Sequence, residues 1–264
     1  MASEQKLHLK YWAGRGLMEV PRMLLALRGK YASNGDFIDG RYTTDKDHVD
    51  GKTQFDFADV SNSLTANLGR MPVLTHPGVG DVGQSAAINF YVASELGLMG
   101  ANNFEAAFIL MIQEHIKETN LAFRKNVPYG KPPETGALDA WFEGGALDKS
   151  PAPADSKRRS ERNLRWYAAR IDACLPDSAI ETGCAVGSSP TLADVLLYNM
   201  FAEFLHDHEA ASTVAQYKRE PFASKARTDK VLAECAPKIK AVCAAVAANK
   251  NIATYLKNRG VQRF

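Results

Sequence analysis

The chain has 264 residues, of which 45% are hydrophobic and 23% charged, and its formal net charge is +2. This length allows two domains of ordinary size, and the composition is that of a globular protein. So small a charge gives no field that would attract nucleic acid or an anionic membrane, and the sequence has neither a signal-peptide core nor a run of about 18 apolar residues. We therefore expect a soluble intracellular protein, with no membrane span and no nucleic-acid partner, that binds a small molecule or another protein.

The first residues alternate between strand and helix patterns. Leu7 and Leu9 alternate with polar neighbours, as in a short strand, and Leu17 to Leu27 then has apolar residues at helical spacing. A second strand is expected around Asp36 to Asp39. The polar stretch from Gly40 to Ala58 has no period and predicts an inserted loop.

A hairpin followed by a helix comes next. Val73 and Leu74 predict a strand, PGVG a turn and Asp81-Val82 another strand, and Ser85 begins the helix. The order β-α-β and then β-β-α is that of a thioredoxin-like sheet. We therefore predict an α/β thioredoxin-like domain over residues 1–97, with a long insertion at 40–60.

Strand patterns are absent from Ala101 onward. Helices are predicted over Phe104–Phe123, Ser156–Cys174, Thr191–Leu205, Thr228–Ala248 and Asn251–Leu256. The segment from Asn126 to Ser156 is rich in Pro, Gly and Ala and is expected to be too broken for regular structure. Residues 101–264 are thus expected to form an all-α helical bundle with an insertion at 126–156.

Metal and disulfide chemistry is not indicated. The four cysteines are Cys174, Cys184, Cys235 and Cys243. They have no CxxC motif and no metal-ligand spacing, so we expect reduced thiols in the core. His206, Asp207 and His208 form a cluster for which solvated helix-end surface is favoured over metal binding.

The connection from the first strand to the first helix carries Tyr11-Trp12-Ala13-Gly14. In a thioredoxin-like domain this edge is reactive, because a helix N-terminus offers free N–H groups and partial positive charge. A redox enzyme would carry CxxC here. Without those thiols, the chain is expected to bind a thiol from another molecule, although Tyr11 could also be half-buried packing at a strand end.

Five groups of residues stand in one order along nearly the whole chain. They are Tyr11-Trp12 with Arg15-Gly16 and Glu19; Arg70-Met71-Pro72-Val73-Leu74; Gln84-Ser85 with Ala87-Ile88 and Tyr91; Gly187 with Thr191-x-x-Asp194; and the tail NKNIATYLKNR. In this order they resemble the glutathione transferases, closest to the sigma-type, tyrosine-dependent branch. The resemblance implies the glutathione transferase fold, glutathione as co-substrate, no metal, and a cytoplasmic homodimer that acts in detoxification.

The resemblance also implies roles for individual residues. As the catalytic residue, Tyr11 would donate a hydrogen bond to the glutathione thiolate and lower the pKa of the thiol. The implied glutathione-binding residues are Tyr11, Arg70, Met71, Pro72, Gln84, Ser85 and Glu118. The implied second-substrate pocket is formed by Trp12, Gly14, Arg15, Met111 and His115. Interdomain core packing is an equally good interpretation of the pocket residues.

Two of the binding motifs have ordinary alternatives. Met71-Pro72 resembles the family's cis-proline turn, which would pair with the cysteinyl residue of the tripeptide, but a trans proline at the start of a strand is more common. Gln84-Ser85 resembles the pair that holds the γ-glutamyl carboxylate at a helix N-terminus, where Ser85 could also be a simple N-cap.

Two further acidic positions belong to the resemblance. Glu118 aligns with an acid that reaches the tripeptide bound to the partner subunit, and would otherwise lie on a solvated helix face. Thr191 and Asp194 resemble a capping box, which is a folding element without a catalytic role.

The resemblance is incomplete where the family holds the glycyl carboxylate. Asp59 and Ser63 stand at the positions of the usual Trp and Lys. Arg70 could pair with this carboxylate instead, and Lys46 and Lys52 in the inserted loop are other candidates.

The expected activity is attack of a Tyr-stabilised glutathione thiolate on an electrophilic hydrophobic substrate, or a glutathione-dependent isomerisation. The alternative is a transferase-fold structural or complex-assembly subunit with weak or no catalysis, since fold alone does not establish function. The two insertions would then be docking surface in a larger protein assembly, whereas in an enzyme they could be decoration.

Overall fold

The computed structural model describes residues 6–43, 53–54, 62–126, 136–143, 162–202 and 225–259. Contacts divide the chain into two units, residues 1–99 with 249–264 and residues 100–248. The C-terminal segment is thus grouped with the first unit, whereas the sequence-based division places it in the helical domain.

The first unit contains a mixed five-stranded sheet. Its strands are β1 (His8–Trp12), β2 (Ile38–Thr43), β3 (Thr53–Gln54), β4 (Val73–His76) and β5 (Gly80–Gly83). Their order is β3-β2-β1-β4-β5, with β1, β2 and β3 parallel and β4 antiparallel to both of its neighbours. Four of these strands are predicted by the sequence and confirm the α/β class of this unit, whereas β3 lies in the stretch that was expected to be a loop.

The second strand differs from its prediction. It begins at Ile38 and extends to Thr43, so the loop expected from Gly40 is wrong over its first residues. The local pattern did not reveal this part of the strand because Asp39 and Arg41 are charged. Their charges form an ion pair with each other, Arg41 Nη2 to Asp39 Oδ2 at 2.8 Å.

The helices of the described residues are α1 (Glu19–Leu27), α2 (Ser85–Glu95), α3 (Asn103–Asn126), α4 (Ala137–Glu143), α5 (Leu164–Cys174), α6 (Ala179–Thr182), α7 (Leu192–Phe201), α8 (Lys225–Cys235), α9 (Pro237–Ala248) and α10 (Lys250–Arg259). Every residue of α1 is buried. This helix contacts both α2 and α10 within the first unit. It therefore forms the centre of the packing beside the sheet.

The second unit is helical, as predicted, but α4 lies in the segment that was expected to be too broken for regular structure. Trp141 and Phe142 of this short helix are buried. The ring of Trp141 meets that of Phe123 edge to face, with centroids 5.3 Å apart. Tertiary packing thus stabilises a helix of seven residues that has no strong local pattern.

The helix predicted over 228–248 is also wrong as a single element. It is divided into α8 and α9 at Pro237, which lacks an N–H group and begins the second helix. The predicted capping box is confirmed: Asp194 accepts hydrogen bonds from the backbone N–H and the hydroxyl of Thr191, at 2.6 and 2.7 Å. The cluster at His206, Asp207 and His208 lies outside the described residues.

The prediction of core thiols holds for two of the cysteines. Cys184 and Cys243 are buried, whereas Cys235 is half-buried and Cys174, the last residue of α5, is exposed. None of the helices in the described ranges combines the length and apolarity that a membrane crossing requires.

Candidate functional site

Three predicted site residues follow one another across the sheet. The register pairs Lys10 of β1 with Val73 of β4, and Val73 with Gly83 of β5. Tyr11 comes one residue after Lys10, Pro72 one before Val73, and Gln84 one after Gly83. Because the three strands are successively antiparallel, these residues lie in a row at one end of the sheet.

The row has the dimensions of a short peptide. Adjacent strands lie roughly 4.8 Å apart, so the distance from β1 to β5 is roughly 10 Å. An extended tripeptide spans at most about 10–11 Å. The motifs that are distant in sequence are therefore brought together at a spacing that an extended tripeptide can bridge.

Tyr11 lies at the edge of the core and is 9% exposed. Its ring packs against Gly16, where an added Cβ would be 2.7 Å from the hydroxyl oxygen and from Cε1. Gly16 also has a positive φ of 41°. Both facts require glycine here, and they explain the glycine in the connection after β1.

Burial raises the pKa of Tyr11, and a polar contact from the Leu17 backbone N–H and the charge of Arg22 partly oppose this effect. The phenol is therefore neutral at pH 7 and keeps its proton. In this state it can donate a hydrogen bond to an anion but cannot act as a base.

The connection that follows Tyr11 is held from the side of α1. The carbonyl oxygens of Gly14 and Arg15 accept hydrogen bonds from Arg22 Nη1 at 2.8 and 3.2 Å. Arg15 is itself buried, and its charge contributes to a lowered pKa at Glu19. Trp12 is half-buried at the end of β1.

The Met71–Pro72 peptide bond is cis, which confirms the predicted turn. The Pro72 carbonyl accepts a hydrogen bond from Asn67 Nδ2 at 3.0 Å, and Asn67 is only 4% exposed. Sequence reasoning missed Asn67, because an Asn in a polar stretch is an ordinary loop residue. Its burial follows from the 3₁₀-helix Asn62–Asn67, which packs against β5 so closely that a Cβ on Gly83 would be 2.3 Å from the Ala66 carbonyl oxygen.

Gln84 and Ser85 stand at the N-terminus of α2. The helix begins with Ser85, and Gln84 is the N-cap, so the interpretation of Ser85 as a simple N-cap is wrong. Gln84 has φ 65° and ψ 123°, a conformation that residues with a side chain rarely adopt. Such backbone strain costs about 1–3 kcal/mol and is concentrated at functional sites.

The remaining candidates for glutathione binding are more exposed than Tyr11 and Pro72 or lie outside the described residues. Arg70 is exposed and Met71 half-buried beside Pro72, while Glu118 is exposed on α3. Ser63 lies in the 3₁₀-helix, and its side chain is outside the description. Asp59, Lys46 and Lys52 lie outside the described residues altogether.

Met111 and His115, the other candidates for the second-substrate pocket, are half-buried on α3 of the second unit. Within the described residues, no group of three or more His, Cys, Asp or Glu side chains could hold a metal ion. The described residues of the site offer a neutral phenol, a helix N-terminus and nearby backbone groups.

Residues 148–259 match the family model of the glutathione S-transferase C-terminal domain. Solved structures match nearly the whole chain. A Pi-class glutathione S-transferase from Onchocerca volvulus is 18% identical with a TM-score of 0.64, covering 96% of this chain and 93% of its own. A Nu-class enzyme from Haemonchus contortus is 22% identical with a TM-score of 0.61, covering 98% and 99%.

A glutathione S-transferase from the hookworm Necator americanus, described as monomeric, is 21% identical with a TM-score of 0.61, covering 98% of this chain and all of its own. At these identities the likeness concerns the fold. The protein therefore has the glutathione S-transferase fold, with a thioredoxin-like first unit and a helical second unit that carries most of the match to the family's C-terminal domain.

Proposed function

We propose that this protein is a sigma-like, tyrosine-dependent glutathione transferase. The row of Tyr11, Pro72 and Gln84 at one end of the sheet is the observation that carries the proposal. It combines the Tyr11 hydroxyl, the start of β4 and the N-terminus of α2 at the spacing of an extended tripeptide.

The catalytic step uses the neutral phenol of Tyr11. The glutathione thiol loses its proton to solvent, and Tyr11 donates a hydrogen bond to the resulting thiolate. The sulfur then attacks an electrophilic carbon of a hydrophobic substrate, so that an S–C bond forms and the leaving group departs with its electron pair. Lowering a thiol pKa of about 8.5 by two units requires roughly 2.7 kcal/mol, which one hydrogen bond to a charge can supply.

The other binding residues hold the rest of the tripeptide. The backbone groups of Met71, just before Pro72 and β4, form hydrogen bonds with the cysteinyl residue, as neighbouring antiparallel strands do. Ser85 and the free N–H groups of the eleven-residue helix α2 bind the γ-glutamyl carboxylate. Arg70 is exposed two residues before Pro72 and pairs with the glycyl carboxylate.

Further parts of the proposal concern the second substrate and the assembly. Trp12, Gly14, Arg15, Met111 and His115 form the pocket for the electrophile. The protein acts in the cytoplasm as a homodimer in which Glu118 reaches the tripeptide of the partner subunit. The same thiolate would also serve a glutathione-dependent isomerase. An assay with a chromogenic electrophile distinguishes transfer of glutathione to the electrophile from isomerisation.

Isothermal calorimetry with glutathione tests this proposal. Binding in the micromolar to low-millimolar range is expected, because Met71, Ser85 and Arg70 together offer contacts to each residue of the tripeptide. The control is an analogue that carries a methyl group in place of the thiol, which should bind more weakly at neutral pH because it cannot form the thiolate. Absence of binding would refute the enzyme and favour a transferase-fold assembly subunit.

A further inference from the structure

Arg22 of α1 is fully buried and fixes the connection that follows Tyr11. Its Nη1 donates to the carbonyl oxygens of Gly14 and Arg15, at 2.8 and 3.2 Å. A second, longer hydrogen bond reaches the Gly14 carbonyl from Arg41 Nη1, at 3.4 Å. The connection is thus held at two successive peptide groups, on the side that faces α1.

Asp39 fixes Arg22 in turn. Arg22 Nε donates to Asp39 Oδ1 at 3.0 Å, and Nη2 lies 2.9 Å from the same oxygen. Asp39 pairs with Leu9 in the parallel register, and Arg41 pairs with Tyr11. Asp39, which fixes Arg22, therefore lies in β2, the strand that pairs with β1 and its Tyr11.

The C-terminal helix meets the same group of charges. Glu19 is 1% exposed and accepts a hydrogen bond from the Tyr255 hydroxyl at 3.1 Å and another from Arg259, both of α10. Its second oxygen, Oε2, lies 3.8 Å from Arg22 Nη1. Glu19 thus links the last helix of the chain to the arginine that holds the connection.

We propose that Arg22 is a positioning residue for Tyr11, and that Glu19 makes its position depend on the docking of α10 through Tyr255 and Arg259. This inference depends on the proposed function of Tyr11. The connection carries Gly16, which packs against the Tyr11 hydroxyl, and Leu17, whose N–H contacts the phenol. A displacement of the Gly14 and Arg15 peptides therefore moves the surroundings of the hydroxyl.

Lysine cannot replace Arg22 in this role. The guanidinium is a planar fork that contacts Asp39 and two carbonyl oxygens together, whereas an ammonium group is a point charge on a flexible stem. Arg22→Lys preserves the charge near Tyr11 and removes the fixed geometry. It therefore separates positioning from electrostatics.

The test compares Arg22→Lys and Tyr255→Phe with the wild-type protein, using Arg28→Lys as the control. Arg28 is the C-cap of α1 and also donates to backbone carbonyls, those of Leu96 and Gly97, but it is exposed and these hydrogen bonds do not reach the connection. Two pKa values are measured in each protein. One is that of the glutathione thiol in the complex, from the ultraviolet absorbance of the thiolate, and the other is that of the Tyr11 phenol without ligand, from NMR of labelled tyrosine.

Arg22→Lys should raise the thiol pKa by about one unit, which means about tenfold less thiolate below that pKa. The pKa of the Tyr11 phenol should also shift in Arg22→Lys. Tyr255→Phe is a milder change and should shift both pKa values by smaller amounts in the same directions. Arg28→Lys should shift neither. Tyr255→Phe removes only one hydroxyl group, so it provides the test if Arg22→Lys does not fold.

The outcomes distinguish this inference from the proposed function. If glutathione does not bind to the wild-type protein but the phenol pKa shifts in Arg22→Lys or Tyr255→Phe, positioning is supported and the transferase is refuted. If folded variants leave both pKa values as in the wild type, positioning is overturned whether or not glutathione binds.

Discussion

Gly16 lies directly against the hydroxyl of Tyr11, so closely that a Cβ at residue 16 would be 2.7 Å from the phenol oxygen. A glycine at this distance fixes the ring without covering the hydroxyl with a side chain. The absence of a side chain at residue 16 is thus as much a part of the candidate site as the phenol itself.

Replacing Gly16 by Ala should displace Tyr11, because no real Cβ tolerates such a contact and φ is 41°. We expect turnover to fall at least tenfold, together with a loss of stability of about 1–3 kcal/mol. Steady-state assays and urea unfolding measure the two effects.

Gly136→Ala is the control, since Gly136 has φ 81° with nothing within 4 Å of the added Cβ. It should lose stability and keep full turnover. Equal turnover losses in both variants would contradict the role of Gly16.

Tyr11→Phe should reduce turnover by about 10- to 100-fold while glutathione still binds, because one hydrogen bond to a charge contributes about 1.5–3 kcal/mol. The pH at which the rate reaches its plateau should move up by one to two units as the thiol pKa returns toward about 8.5. Rate profiles against pH measure both changes.

Tyr31→Phe is the matched control for Tyr11. It removes a hydroxyl that donates to the Asn251 carbonyl of α10 at 3.2 Å, so it should lower stability and, through the docking of α10, reduce turnover far less than Tyr11→Phe does. Wild-type turnover in Tyr11→Phe would exclude the catalytic role of this phenol.

Gln84→Gly should have opposite effects on stability and binding. Glycine adopts φ 65° without strain, so the free energy of unfolding should rise by about 1 kcal/mol, while glutathione affinity should fall because the side chain is lost. Leu68→Gly provides the comparison, since Leu68 also has a positive φ, of 54°, and is 80% exposed. It should relieve similar strain and leave glutathione affinity unchanged. Weakened binding in both variants would mean that Gln84 has no specific role.

The acid stability of the protein should depend on Glu19. Burial opposes its ionisation, but the charges of Arg259, Arg22 and Arg15 outweigh burial and lower its pKa below 4.5. Because the unfolded chain then binds the proton more readily, the contribution of Glu19 is full above about pH 4.5 and is lost as the pH falls through the lower value of the folded state.

Urea unfolding at a series of pH values checks this dependence in Glu19→Gln. We expect the free energy of unfolding to fall by about 3 kcal/mol at pH 7, since buried arginines lose their partner. As the pH is lowered, the free energy of unfolding of the variant should then decrease less steeply than that of the wild type. Glu95→Gln, an exposed change on α2, should leave the acid profile as in the wild type. An unchanged acid decline in Glu19→Gln would show that other groups control it.

Local patterns were sufficient for the elements in which one residue type repeats at a fixed spacing. β1 and α1 were predicted at nearly their observed positions, because apolar alternation and helical periodicity are properties of neighbouring residues. The same patterns could not reveal α4 or the continuation of β2. Trp141 packs on Phe123, which is distant in sequence, and Asp39 and Arg41 occupy the strand as an ion pair.

Asn67 and Arg22 illustrate the same limit at the candidate site. Neither belongs to a motif, and each is important here only because of the carbonyl groups that it contacts, those of Pro72 and of Gly14 and Arg15. A side chain that acts through a hydrogen bond to distant backbone leaves no periodic signal in the sequence.

The sequence by itself determined the order of most strands and helices, the phenol in place of a dithiol, and the proline and glutamine motifs, since each is a local arrangement of residue types. Only the tertiary structure decided that these motifs lie in one row and that the last helix meets α1 at Glu19. The physical reason is that strand register and the pairing of buried charges join residues that are separated by ten to more than two hundred positions, and the chain must fold before either relationship exists.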